Sequence, residues 1–460
     1  MDKRIGVAAL LLATGGSQAL AAGTAEEIAR LGKELTPWGA EQAGNADGSI
    51  PAFNGRLKPP ASYDPGKPGI RPDPFADEKP LYSVTAANLD QHAERVSEGF
   101  KAMLRKYPNF RMDVYPTHRT ANYPDYVLDN TRKNAATCAL TENRLQLAGT
   151  CYGGVPFPIP KNGAEVMWNH TLKYDQYAYS SPRQVSTLVN ANGGKVLTAR
   201  WAVWQTFPHY DPARTEPIGK DEITEFLRIE YNAPARKSGE KLVIHDSVDM
   251  LDMGRRAWSY LPGQRRVKLS PDIAYDTPGP SNGGVGTVDD TQVFYGAHDR
   301  YDFKLLGKKE MYIPYNTFKL HDAALCSDDK LLTPNFLNPD CMRWELHRVW
   351  VVEATLKEGK RHVYPRRVFY WDEDLPAVGM GDNYDEAGKI YRVTATHAYP
   401  FYESSGHNSH EFVIYDLASG AYVRQDYNEA GGPAMTVTPP EQVKSSLFYQ
   451  PASLSGSGVR

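Results

Sequence analysis

Short runs of alternating apolar and polar residues fill much of the chain beyond residue 184, at 184–189, 195–202, 222–231 and 241–247. The turns between them carry Asn190-Ala-Asn-Gly-Gly and the Pro- and Gly-containing stretch 234–239. A period of two with turn residues at the breaks predicts an antiparallel meander, not strands alternating with helices. The clearest unit is 252–270. Trp258 and Tyr260 share one face of a strand, Pro262-Gly263 supply a fixed φ and then the positive φ of a type II turn, and Val267 and Leu269 share one face of the return strand. Arg266 and Lys268 point the other way, so this hairpin is half-buried and needs neighbouring strands and an apolar cover. Alternation resumes at 348–356, where Trp350, Val352 and Ala354 share a face, and continues at 362–371, 390–397, 411–417 and 421–425.

Helical spacing is confined to fewer segments. Residues 85–107 place Leu89, His92, Val96, Phe100, Met103 and Leu104 on one stripe and end before Pro108. Residues 24–35 predict a short amphipathic helix with Thr24 as N-cap to Glu27. A third short helix at 162–172 displays Val166, Met167, Trp168 and His170, and 291–306 reads as a helical insertion whose Phe294, Tyr301 and Phe303 reach the interior. Residues 110–119 and 123–128 read as short aromatic strands or turns. Between 39 and 81 the chain is rich in Pro, Gly and Asp, and Trp38, Phe53, Tyr63 and Phe75 are spaced to pin it as an extended arm; a disordered leader is the alternative. Residues 271–290, with Pro278-Gly-Pro-Ser-Asn-Gly-Gly-Val-Gly, form a loop, and the Ser- and Gly-rich end at 451–460 is expected to fray.

Composition narrows the class. Of 460 residues 41% are hydrophobic and 11% aromatic, with a formal net charge of −3, which suits a globular protein with a large core. Charge is mixed evenly instead of gathered in basic blocks, so no nucleic-acid partner is expected. Lys3-Arg4, the apolar run from Ile5 to Thr14 and the small residues that follow have the order of a secretory signal peptide, with cleavage expected after Ala21 or Ala22. That run is far shorter than the roughly 20 residues that span a bilayer, and no Cys stands near the cleavage site for a lipid anchor. The mature chain is therefore expected to be soluble and exported. Its four Cys fall in two local pairs, Cys138 with Cys151 and Cys326 with Cys341, which predicts two disulfides worth roughly 3 kcal/mol each. A four-thiolate zinc site is the rival reading, but no closely spaced Cys-x-x-Cys occurs, and no metal site is expected.

Catalytic signatures are not evident. There is no Gly-x-Ser-x-Gly elbow, no His-Glu-x-x-His, and no Cys paired with a base. His407-Asn-Ser-His410 has a spacing that suits a metal pair, yet its Ser, Gly and Asn neighbours point to a surface loop. Asp372, Glu373 and Asp374 read as a solvated strand end, Asp246, Asp249 and Asp252 beside Arg255-Arg256 as a salt-bridged turn, and His118-Arg119 as a hydrogen-bonded loop instead of an anion ligand. No cofactor and no catalytic residue is assigned.

Several motifs do carry a resemblance. Arg256-Ala-Trp-Ser-Tyr-Leu-Pro-Gly-Gln-Arg-Arg-Val-Lys resembles the Trp-x-Tyr-x-Pro-x-x-Arg-Arg-Val signature of periplasmic proteins related to the lipoprotein carriers LolA and LolB. Tyr152-Gly-Gly-Val-Pro-Phe-Pro-Ile-Pro-Lys-Asn-Gly, Met167-Trp-Asn-His, Lys309-Glu-Met-Tyr-Ile-Pro-Tyr-Asn and Tyr384-Asp-Glu-Ala-Gly-Lys resemble the uncharacterised-domain family DUF1329, over about residues 25 to 449. With the patterning, this implies a mainly β (α+β) fold: a large curved antiparallel sheet, a LolA/LolB-like half-barrel at 151–449, wrapped around covering helices. A signal peptide at 1–22, an arm with helices packed on the sheet at 23–150 and a flexible tail at 450–460 complete it. The long arm, the insertions and the missing lipidation Cys depart from LolA and LolB.

The function so implied is a soluble periplasmic carrier or accessory protein that binds a hydrophobic small molecule or lipid. Its partners would be an inner-membrane transporter of the resistance-nodulation-division (RND) type and an outer-membrane protein. The expected cavity wall is Trp258, Tyr260, Val267, Leu269, Trp350, Val352 and Trp168, although the same apolar face serves equally as a core filled by the protein's own helices. A hydrolase-type enzyme for lipid or wax-like substrates and a structural adaptor of an envelope efflux complex are the alternatives.

Overall fold

The first meander is built from β1 (Ala178–Val189), β2 (Lys195–Thr206), β3 (Ile223–Ala233), β4 (Lys241–Ser247), β5 (Arg255–Leu261) and β6 (Arg266–Leu269), each antiparallel to the next. The second contains β7 (Tyr301–Pro314), β8 (Trp344–Leu356), β9 (Arg366–Asp372), β10 (Gly379–Tyr384), β11 (Ile390–Thr396), β12 (Phe412–Asp416) and β13 (Tyr422–Asn428), again antiparallel throughout. β13 pairs with β1, Val423 opposite Leu188, and this joins the two meanders into one curved, unclosed sheet. Short strands Tyr82–Val84, Met112–Val114 and Thr436–Val437 bring it to 16 strands among the described residues. This computed structural model describes residues 23–67, 69–428 and 435–456, so the expected signal peptide lies outside it. Among the described residues no helix is long and apolar enough to cross a membrane.

Register defines the two faces, because residues directly opposite on paired strands point the same way. One face, here the front, runs from Val352 and Phe369 through Gly381, Thr394, Ile414 and Val423 to Leu188. In the first meander it includes Trp201, Tyr231, Leu227, Ile244 and Ala257. On the back of the second meander lies α1 (Glu98–Lys106), capped by Ser97, whose side chain accepts from the Phe100 amide. The helix lies so close that a Cβ on Gly99 would stand 2.3 Å from Asp382 Oδ1. On the front lies α3 (Gly163–Thr171), and between them in sequence α2 (Asp125–Thr137). Both predicted disulfides are present, Cys138–Cys151 and Cys326–Cys341.

Several expectations are corrected. The 85–107 stripe is broken into Leu89–His92, Ala93–Arg95 and α1, because Ser97 restarts the helix. α2 replaces the expected strand or turn at 123–128. Its buried face includes Thr131 and Asn134, which bond the backbone of residues 152–155, so no apolar stripe announced it. The helical insertion at 291–306 is coil leading into β7, since Gln292 at φ 49° and Val293 at φ 74° cannot continue a helix. The founding hairpin does form, but Arg265 at φ 49° takes the left-handed position, not Gly263. The short first helix ends at Ala29, ahead of Gly32 at φ 78°. The arm is pinned: Trp38 packs edge-on against Phe53, Phe75 stacks on His118 at 3.9 Å, and Tyr63 meets Tyr402. The expected flexible tail instead lies against the back of the first meander as far as Gly456, with Leu454 fully buried beside Val243 and Tyr260.

Candidate functional site

The front face is covered differently along its length. Over the second meander, Val166 and Met167 of α3 and Val293 and Phe294 close on Val352, Ala354, Phe369 and Trp371. Over the first, the cover is the loop 271–297, and beneath it stays a chamber of about 110 Å³. Its apolar wall is Trp201, Val203, Leu227, Ile229, Leu242 and Ile244, the front positions of β2 to β4, with Ile273 from the loop. Its polar edge holds Gln184, whose Oε1 accepts from Trp201 Nε1 at 3.2 Å, and His410.

Side chains, not strand pairing, hold the loop down. The Ser281 carbonyl accepts from Ser186 Oγ at 2.8 Å and from Thr198 Oγ1, and Gln292 Nε2 lies 2.8 Å from His410 Nδ1. At Asp289 and Asp290 the loop is tied to the second meander: Arg367 donates to Asp290 Oδ1 at 3.0 Å, Tyr364 to Oδ2 at 2.7 Å, and His362 Nε2 stands 2.9 Å from Asp289. Burial alone would raise the Asp289 carboxyl, but Arg367 and His362 hold it below its ordinary value.

A polar row crosses the ends of β2 to β5, formed by Gln205, Glu225, Asp246 and Arg255. Tyr295 from the loop completes it, donating to Glu225 Oε1 at 2.6 Å while the Arg255 guanidinium lies 3.9 Å over its ring. Arg255 is itself paired with Asp246 at 2.6 and 2.7 Å. Burial, with the Asp246 charge beside it, pushes the Glu225 carboxyl up to about 7. Beyond this row lies a second cavity of about 60 Å³, walled by Trp168, Phe207, His209, Met250 and Phe294. Arg255 and Tyr295 line both cavities, so the row is the partition between them.

The expected wall residues are dispersed. Trp168 is fully buried in the wall of the second cavity. Val352 is fully buried in the dry cluster, and Trp350 is half-buried with Lys308 over its ring at 4.6 Å. Trp258 and Tyr260 lie on the back of the sheet with Val267, against Leu454, and Leu269 is 60% exposed. Residues that do line the chamber were visible only as alternation, at 195–202 with Trp201, at 241–247 with Leu242 and Ile244, and at 222–231, where Leu227, Ile229 and Tyr231 take turns with Arg228 and Glu230. Arg255 was visible only as part of a salt-bridged turn with Asp246, a pairing the structure contains, and nothing in the sequence pointed to Tyr295.

Two further expectations are corrected. His407 and His410 are 4% and 2% exposed, because strands Tyr399–Phe401 and Gly406–Asn408 fold the loop inward. His410 Nε2 stands 3.0 Å from the buried Asp175. Asp372, Glu373 and Asp374 are likewise buried, Asp372 on the back of the sheet opposite Val349. Ligand atoms of His347, Asp372 and Asp374 lie within 4.8 Å of one another, a spacing that suits a metal ion. Both Asp374 oxygens, however, accept from Arg119 at 2.7 and 2.9 Å, and Trp38 Nε1 donates to it as well, so the cluster fastens the arm. Burial would lower the His347 imidazole, but Asp372 and Glu345 on either side push it up to about 9.

The sheet is open and curved, and it keeps an apolar chamber under a loop fastened by side chains. The chain belongs to the DUF1329 family, described as proteins of unknown function, which it matches over residues 83–455. It is 39% identical over 461 residues to the uncharacterized protein PA3922 of Pseudomonas aeruginosa, covering 99% of this chain and 98% of that one. A crystal structure of a DUF1329 family protein from Desulfovibrio piger is 16% identical, with a TM-score of 0.40 over 61% of this chain and 92% of its own. A putative outer membrane lipoprotein-sorting protein domain from Vibrio parahaemolyticus is 13% identical, with a TM-score of 0.42 over 64% and 98%. The LolA superfamily protein NE2245 from Nitrosomonas europaea is 11% identical, with a TM-score of 0.35 over 63% and 100%.

Proposed function

We propose that this protein is a soluble carrier of the periplasm that shelters an apolar molecule, a lipid or lipid-like compound, in the chamber beneath the 271–297 loop. The observation that carries this reading is the chamber itself. Protein interiors pack with few voids larger than a water, so unfilled apolar space against Trp201, Leu227 and Ile244 calls for an occupant. Each methylene buried there contributes about 0.8 kcal/mol. At about 110 Å³ the chamber is smaller than the roughly 300–1,000 Å³ of ordinary ligand pockets, so a whole lipid fits only when the cover lifts. A Gly- and Pro-rich loop held by side-chain hydrogen bonds is suited to that motion. The carrier serves envelope transport together with an RND-type transporter and an outer-membrane protein, as the sequence resemblance implies.

The test is native mass spectrometry of protein purified from the periplasm, before and after solvent extraction. A bound apolar mass that extraction removes is the expected result; protein that is empty in both spectra and takes up no apolar dye ends the carrier reading. One observation favours a second reading, hydrolysis of a lipid ester in the same chamber: the buried His410 lines it, with Nε2 3.0 Å from the Asp175 carboxylate. Ester turnover that disappears in His410→Ala would establish it.

A further inference from the structure

The second cavity holds a group that the chamber alone does not explain. His209 follows directly on β2, is 3% exposed and lines this annex. By geometry neither of its ring nitrogens has a hydrogen-bond partner among the described residues, although the Thr224 main chain is near enough to act on the ring. A buried polar group left without a partner is costly, and in native proteins such a group finds water or a ligand. Burial pushes the ring down to about 3, so it is neutral and presents one N–H donor and one bare nitrogen acceptor. Two hydroxyls, one accepting from the N–H and one donating to the bare nitrogen, match both.

Charge in the annex is largely matched. Arg255 is engaged by Asp246, and Lys173 in the wall lies near enough to Glu225 to act on its charge. A cationic head would lack a counter-ion there and lose its hydration, and a carboxylate, though within reach of Lys173, has no donor for the bare nitrogen of His209. The remaining walls, Trp168, Phe207 and Phe294, are apolar faces that suit the carbon skeleton of a small polyol. About 60 Å³ is room for roughly four water-sized groups. Tyr295 and Arg255, which line both cavities, stand between this space and the chamber.

We propose that the ligand is an amphiphile with a neutral, hydroxyl-bearing head: its apolar part occupies the chamber, and its head passes the Tyr295 partition to hydrogen bond His209 in the annex. This rests on the carrier reading and names the class of molecule carried. Tyr295 belongs to the covering loop, so lifting the cover and joining the two cavities are one movement.

Displacement of an apolar dye from the full mature protein by 1-monolauroylglycerol, lauric acid and decane tests it. The monoacylglycerol should displace the dye at a concentration about tenfold below the other two, the size expected when a buried unpaired group gains its partner. In His209→Phe that preference should shrink to within about twofold of decane. In the unaltered protein, the nitrogen resonances of the His209 ring should shift on adding monolauroylglycerol and stay fixed with decane, a reading independent of whether the variant folds. Equal displacement by all three, tighter binding of lauric acid, or unmoved His209 resonances overturns the neutral-head proposal while leaving the chamber standing. If none of the three displaces the dye, the chamber reading falls, and this inference with it.

Discussion

The two meanders present the same kind of front face and end differently. Over the second, α3 and residues 293–294, near the end of the loop, pack against Val352, Phe369 and Trp371; over the first, the earlier part of the same loop spans Trp201, Leu227 and Ile244 and leaves space. The strands are not the cause, since both faces are apolar. The cover is. A helix such as α3 delivers side chains at close spacing, and Gly163 lets it approach until a Cβ there would be 2.6 Å from the Phe303 carbonyl oxygen. The 271–297 loop sends its polar groups to β1, β3 and the second meander, and its apolar contribution to the chamber wall is small. The chamber thus lies where a side-chain-filling cover was withheld over one half of the sheet.

Breaking the filled half should have the largest effect on stability. Phe369→Ala removes a fully buried ring from the dry cluster and should cost about 3–5 kcal/mol in denaturant titration, with dye binding unchanged in the fraction that remains folded. The matching change in the open half, Leu227→Ala, enlarges space that already exists and deletes fewer contacts. It should cost only about 2 kcal/mol, the low end for such a truncation, and should alter dye affinity severalfold. Equal losses of stability and no change in binding would erase the distinction between the halves.

A smaller effect should appear at the partition. Glu225 is raised from an ordinary 4.5 to about 7, so the folded protein holds a proton that the unfolded chain has already released. Stability therefore falls as pH rises from about 4.5 to about 7 and levels off above, since over that window the folded state binds more protons. Glu225→Gln keeps an acceptor for Tyr295 and removes the charge. It should flatten this slope and raise stability at pH 8 by on the order of 1 kcal/mol. An unchanged pH profile would show that Glu225 is ionised, and that the partition is held by charge instead of neutral hydrogen bonds.

The meanders and both disulfides were legible because alternation, turn residues and local Cys spacing are local signals. α2 and β7 were not. Thr131 and Asn134 on the buried side of α2 satisfy backbone groups 18 to 24 residues away, and a pattern of apolar positions carries no trace of that. The buried carboxylates Asp372 and Asp374 read as solvated because their partners His347 and Arg119 lie far off in sequence. For the site the difficulty is of another kind. A search for the heaviest aromatic stripe finds well-filled packing, whereas a cavity forms where side chains are missing, and only the assembled cover shows where that is.

The hairpin at 252–270 shows this most plainly. Register puts Trp258 opposite Leu269 and Tyr260 opposite Val267, so the four residues do share one face, as alternation predicts. Sequence does not say which side of the sheet that face joins, because a shift of one residue exchanges the two. Pairing with β4 settles it. Ala257 stands opposite Ile244 on the front, so Trp258, one residue on, faces the back with Val243. There it meets the His245 ring at 5.0 Å, and the C-terminal segment closes over the region, with His245 Nε2 2.8 Å from the Tyr449 carbonyl oxygen and Arg228 donating to Phe448 at 2.7 Å. Trp258→Ala should then cost ~1–2 kcal/mol, less than a fully buried aromatic because the ring is half-exposed, and should leave dye affinity unchanged. Limited proteolysis should show the segment 440–456 cut earlier in the variant, since its cover has lost part of its seat. A loss of dye binding with the C-terminal segment still protected would return the ligand to the hairpin and reverse the assignment of the two faces.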